Sequence, residues 1–327
     1  VASSDDMNAF RFAHWPGRPV EPDHVPPVFA GRFLARGAWL EAEPGSAAEV
    51  HPPQELFLGG LLKLDVTNPD AVAAFVSENG SLKKWDWKTA AVALDVWSWR
   101  VEEWDAFYRD VRRARRSNPP AAEGVPVSYH PARDPRPTLT ILEATEQLRL
   151  ARDATRYYLA AMGKVDVEDA LAASESAILR PPDSREDTWS WKHGRVDLME
   201  FEDLSERRRI WTARALEGIV NFGLREFPMA IQVAGVEADQ IAHIWRDGPT
   251  LFGFLCLQIA DHIASGATLR QCQNESCGQW FSRQSGRAEY GQHRTRGVLL
   301  YCSASCARTQ GSRAWRRRKR AEKEGSK

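Results

Sequence analysis

Four of the five cysteines in this chain fall in its last sixth, in the spacing Cys272-x4-Cys277-x24-Cys302-x3-Cys306. Few features restrict a fold more. Two pairs of thiolates, each on a short turn, match the ligand arrangement of one tetrahedral metal site. Disulfides are the competing use. Val1 to Phe10 reads VASSDDMNAF, without the cationic start and apolar centre of a secretory signal. No run approaches the roughly 18 apolar residues needed to cross a bilayer. The expectation is therefore a cytoplasmic protein with no membrane association, in which thiols stay reduced and Cys272, Cys277, Cys302 and Cys306 hold a structural Zn2+. With all four positions taken by sulfur, no site stays open for a catalytic water. His293, between the two pairs, is the nearby alternative ligand. Cys256 sits in the apolar run Leu251-Phe-Gly-Phe-Leu-Cys-Leu and reads as a core residue.

At 327 residues the chain exceeds the size at which a single core usually stops growing, so two or three domains are expected. Its 44 basic and 44 acidic residues balance overall but not locally. From residue 270 onward there are fourteen Lys or Arg against four Glu, net +10, which leaves −10 on the first 269 residues. The expected organisation is a helix-rich acidic regulatory or sensing domain at 1–266, with a sub-boundary at 118–137, followed by a zinc-binding module with a basic helix at 267–327. A cationic end on an anionic body suits a polyanionic partner. The two halves can also attract each other, so that the body would mask the basic end until displaced.

The pattern along the body predicts mainly α structure. Residues 11–55 are proline-rich without a sustained period and read as loop and extended arm. Asn68 as N-cap with Pro69 at the first helical position opens a helix that Asn79-Gly80 closes. A second helix spans Val101 to Arg116, with Trp104, Phe107, Tyr108 and Val111 as its apolar stripe. The prolines between Asn118 and Pro137 mark a boundary or a long surface loop. Thr140-Ile-Leu-Glu143 forms a capping box for a long helix that ends at Gly163. Further helices are predicted over Val167 to Leu179, Leu204 to Leu224, and from Asp247-Gly-Pro249 to Ser265, with a strand at Met229 to Val236. The pairs Trp85/Trp87, Trp97/Trp99 and Trp189/Trp191 place two indoles on one face of an extended segment, for packing or, alternatively, for an aromatic or base-stacking platform.

In the C-terminal module, Cys272 and Cys277 flank a polar turn, and Gly278 lets the chain reverse. Trp280-Phe281 and Val298 to Tyr301 read as two strands joined by a basic loop from Ser282 to Gly297. Ser303 is placed to cap a helix whose first turn delivers Cys306. Knuckle, short β-hairpin and ligand-bearing helix make a treble-clef-like zinc finger.

The stretch from Leu269 to Arg320, above all CQNESCGQWF, GRAEYGQHRTRG and YCSASCA followed by SRAWRRRKR, resembles the C-terminal zinc fingers of actinobacterial proteins related to the CGNR-finger family. LDVTNPDAVAAFVSENG in the body extends the likeness loosely. Where the family's motif has Gly-Asn-Arg after the last cysteine, this chain has Ala307-Arg308. The family is described as stress-induced transcriptional regulators with a helical N-terminal domain. The resemblance implies a DNA-binding finger with ligands at Cys272, Cys277, Cys302 and Cys306.

Two cationic elements would meet the nucleic acid. One is the basic loop, with Arg283, Arg287, Arg294 and Arg296. The other is the terminal helix, with Arg308, Arg313, Arg316, Arg317, Arg318, Lys319 and Arg320. Neutralising about six phosphates would give a log–log salt slope of roughly −5 on duplex DNA. The reading is a DNA-binding transcriptional regulator, nucleoid-associated and better suited to DNA than to RNA, with a body that can sense or form a homodimer. RNA binding and a protein-interaction finger are the alternatives. An enzyme is less supported, because neither the run Glu200-Phe-Glu202-Asp203 nor the histidines fall in a recognisable catalytic spacing.

Overall fold

The computed structural model describes residues 28–30, 32–36, 38–42, 48–50, 52–53, 55–82, 85, 101–116, 139–176, 179, 203–225, 250–282 and 300–325. Among these the chain is mainly helical, as its patterning predicts. The Trp-x-Trp partners beyond Trp85, the strand predicted at Met229 to Val236 and the proline-rich segment 118–137 lie outside the described residues.

Within the segment read as loop and extended arm, the chain forms paired strands: β1 (Val28–Ala30), β2 (Phe33–Arg36), β3 (Trp39–Ala42) and β4 (Ala48–Val50). β1 pairs antiparallel with β4, and β2 with β3 in the register Phe33 to Ala42 and Arg36 to Trp39. β5 (Leu139–Thr140), from a hundred residues along the chain, pairs with the far edge of β3. Strands of three or four residues are too short for an alternation to show in sequence, and they are held by what they pair with and pack on. Phe33, Trp39 and Leu40 are buried in the main core.

The helices begin where their caps dictate. α1 (Pro69–Asn79) starts after Asn68, whose side chain accepts from the Asp70 and Ala71 amides, and ends at Gly80, where φ is +126°. α2 (Val101–Arg116) precedes β5, and α3 (Ile141–Ala161) follows it with the full predicted capping box. Thr140 Oγ1 accepts from the Glu143 amide at 3.2 Å, and the Glu143 carboxylate accepts from the Thr140 amide at 3.1 Å. That buried carboxylate is also clasped by Arg115 of α2, whose guanidinium donates in addition to the Trp85 carbonyl.

α3 is the axle of the body, enclosed by α1, α4 (Val167–Ala172), α5 (Leu204–Leu224) and α6 (Leu251–Ser265). It is buried all round and so buries polar side chains too, each needing a partner. Asp153 accepts from the amides of Glu175 and Ser176 and the hydroxyl of Ser174, and pairs with Arg156 at 3.0 Å. Burial raises its carboxyl above the ordinary range, against the pull of those hydrogen bonds. The same contacts explain why α4 ends at Ala172 rather than at Leu179: the following amides turn away to bind Asp153. α5 spans the predicted residues. α6 starts after Thr250, which caps through the Gly253 amide, while Asp247 lies outside the described residues. Gly223 lets α5 approach α6 closely, since a Cβ there would collide with Cys256, which is fully buried as predicted. Trp85 packs edge-on to Phe222 and Phe252, with ring centroids 4.8 and 4.7 Å away. Elements on both sides of the 118–137 segment share this one core.

No helix among the described residues is long and apolar enough to cross a membrane.

Candidate metal centre and basic helix

After α6 the chain enters β6 (Arg270–Gln271), reverses through a turn, and returns as β7 (Trp280–Phe281). β7 forms as predicted and pairs with β6, Arg270 opposite Phe281; of the second predicted strand, Leu300 and Tyr301 are not in a strand, and Val298 and Leu299 lie outside the described residues. The turn brings its own flanks into register, and so short a loop closes at less entropic cost than a long one. The Cys272 amide donates to the Gln279 carbonyl at 2.9 Å, the Cys277 amide to the Asn274 carbonyl at 2.7 Å, and Gly278 adopts the left-handed φ of +59° that completes the reversal. The later strand prediction overlaps one tie: Gln273 donates to the Leu300 carbonyl at 2.8 Å.

The second cysteine pair is positioned as predicted. The Ser303 hydroxyl accepts from the Cys306 amide at 3.2 Å and so caps α7 (Ala304–Gly325). The four sulfurs of Cys272, Cys277, Cys302 and Cys306 lie within 4.8 Å of one another, and none is in a disulfide. Cys302 Sγ is 3.6 Å from both Cys277 Sγ and Cys306 Sγ. Metal–sulfur bonds of about 2.3 Å at tetrahedral angles would separate sulfurs by roughly 3.8 Å. A disulfide would bring them to about 2.05 Å. The constellation therefore fits a four-thiolate metal ion. The Cys302 amide points at Cys272 Sγ from 3.5 Å, an N–H directed at a ligand sulfur of the kind that steadies a thiolate. Burial pushes the Cys302 and Cys277 thiols up, whereas a hydrogen bond from the Asn274 side chain holds Cys306 down at about 6.

Asn274 and Glu275, between the first two cysteines, also clamp the helix. Arg313 donates to Asn274 Oδ1 at 3.0 Å. Arg317 grips the Glu275 carboxylate with both terminal nitrogens, one at 2.8 Å, and Gln310 adds a third donor at 3.0 Å. These bonds, chiefly that from Arg317, hold the Glu275 carboxyl down at about 2. Cys306, Gln310, Arg313 and Arg317 thus form one helical face, turned toward the turn that carries the first ligand pair. Of the predicted nucleic-acid contacts, Arg308, Arg316, Arg318, Lys319 and Arg320 are exposed on α7, while Arg313 and Arg317 are engaged within the module. Arg283, Arg287, Arg294, Arg296 and His293 lie outside the described residues.

The module is seated on the body through residues that sequence reasoning passed over. A wide π-helical turn (Phe57–Leu61) receives it. A Cβ at Gly59 would strike the Gln279 side chain, whose Oε1 accepts from Lys63 at 3.0 Å. Glu55, held at a φ of +61° that side-chain-bearing residues rarely adopt, accepts from both the amide and the hydroxyl of Ser282. His262 Nε2 of α6 lies 3.7 Å from the same carboxylate. Trp280 packs on the body core, whereas Phe281 packs with the cysteines. The double glycine Gly59-Gly60 in an otherwise apolar run was the signal available for this close approach.

Elsewhere on the body, Arg109, Arg112, Arg113 and Arg116 line a shallow cleft of about 290 Å³ on α2. Arg112 stacks over Tyr108, 4.7 Å from the ring centroid. No carboxylate or histidine is among the described residues that line it.

Compared with family models, curated proteins and solved structures, the chain gives no match.

Proposed function

We propose that the chain is a nucleic-acid-binding protein, a DNA-binding transcriptional regulator whose C-terminal module is a treble-clef-like finger organised by a structural zinc ion. Cys272, Cys277, Cys302 and Cys306 would hold the ion, with no coordination position left for substrate. Bound there, zinc would fix four thiolates tetrahedrally and contribute folding free energy to the module. On this reading the acidic body is the regulatory part.

The observation that carries the proposal is the division of labour on α7. Arg313 and Arg317 bind Asn274 and Glu275 and orient the helix, which leaves Arg308, Arg316, Arg318, Lys319 and Arg320 exposed. A helix tied to the turn that bears the first cysteine pair and carrying exposed positive charge suits a phosphate backbone, where each neutralised phosphate releases counterions. Five helix contacts predict a log–log salt slope near −4.5 on duplex DNA, steeper if other cations contribute.

Two measurements test the reading. Elemental analysis of protein purified without added metal should return one zinc per chain. Fluorescence anisotropy with duplex DNA across a salt series should show submicromolar binding at low salt that weakens along that slope. Absence of binding to any nucleic acid at low salt would overturn it.

A further inference from the structure

The same helix carries an aromatic side chain that neither the metal centre nor the core explains. Trp315 is 54% exposed, the most exposed large apolar side chain among the described residues. Successive helical residues turn by about 100°, so Trp315 stands some 200° around the helix from both Arg313 and Arg317. It therefore projects from the side opposite the knuckle. Arg308 lies two turns before it on the same face, Lys319 one turn after, and Arg316 and Arg318 flank that face. The Lys319 ammonium sits 4.8 Å from the centroid of the indole. The arrangement combines the two elements that single-strand binders use: charge for the backbone and a flat, solvent-facing aromatic for a base.

We infer that Trp315 stacks on an unpaired base, so that the preferred ligand of α7 is a single-stranded or locally unpaired nucleic acid. This deepens the nucleic-acid reading above and rests on it. Arg308, Arg316, Arg318 and Lys319 engage the phosphates around the stacked nucleotide. Because every base presents a π-face, the contact tolerates sequence and discriminates strand state instead.

The test uses the full-length protein and Trp315→Ala, with three probes at matched salt: a fifteen-nucleotide oligothymidylate, a fully paired duplex of the same length, and heparin, which has charge but no bases. Loss of one stacking contact should weaken oligothymidylate binding about ten-fold. Duplex and heparin binding should change less than about two-fold, and the salt slope should stay the same because no phosphate contact is lost. Trp315→Phe should recover most of the affinity. Equal metal content and circular dichroism for both variants would show that the module is intact. In the unmodified protein, bromouracil-substituted single strands should photocross-link to Trp315. The inference falls if Trp315→Ala weakens all three probes equally or none of them, or if cross-links form only elsewhere. Should the unmodified protein bind neither nucleic acid at low salt, the broader reading falls with it.

Discussion

The body and the C-terminal module are stabilised in different ways. In the body, α3 is enclosed by other helices, and Trp211, Tyr157, Phe57 and Phe252 are essentially removed from water. Each such side chain contributes about 1.5–3 kcal/mol, so no single contact decides the fold. In the module the buried apolar cluster consists of Cys272, Phe281 and Cys302, with Cys277, Tyr301 and Cys306 beside it. Among the described residues of the module, six such side chains, four of them cysteines, offset little of the entropy of ordering the chain around them. The body is held by many weak contacts, the module by its cysteine cluster and a few charged clamps. A region of the second kind can present a highly charged surface, because its fold does not require apolar residues there.

Metal removal should separate the regions most sharply. Stripping the ion with a chelator, or replacing Cys302 with Ser, is expected to cost the module about 10 kcal/mol or more of folding free energy. Hydrogen exchange should then show α7 and β6–β7 unprotected while α3, α5 and α6 keep their protection. Loss of protection throughout would show that the two regions fold as one unit.

The converse experiment is Asp153→Ala. It strands the Glu175 and Ser176 amides and Arg156 around an emptied site, and should lower body stability by about 3–5 kcal/mol in urea denaturation. Metal content should be unchanged if the module is independent.

The joint between them should give smaller effects. Gly59→Ala displaces the flexible end of the Gln279 side chain from Lys63 and should lower stability by no more than about 1 kcal/mol, with Gln279→Ala in the same chain removing the clash. Glu55→Gln weakens the hold on Ser282 and should cost about 1–2 kcal/mol, read as faster exchange at β7.

The least perturbing change is Glu275→Ala. It removes an exposed carboxylate and frees Arg317 and Gln310, so only fraying of α7 is expected, most visible in low salt. If it instead abolished metal binding, the clamp would belong to the centre itself.

The sequence by itself determined what depends on local chemistry. Asn68-Pro69, the Thr140–Glu143 box, Ser303 and the cysteine spacing each specify a backbone geometry within a few residues, so α1, α3, the cap of α7 and the gathering of four sulfurs could all be read in advance. Tertiary structure decided what depends on partners far along the chain. β2 and β3 exist because β5 and the core lie against them, β7 takes β6 as its partner, and α4 stops where Asp153 draws the following amides away. The engagement of Arg313 and Arg317 was equally invisible, since nothing in a run of similar cations marks which will meet Asn274 and Glu275. Short-range geometry is encoded residue by residue, whereas the pairing of distant groups emerges only when burial has fixed which surfaces meet.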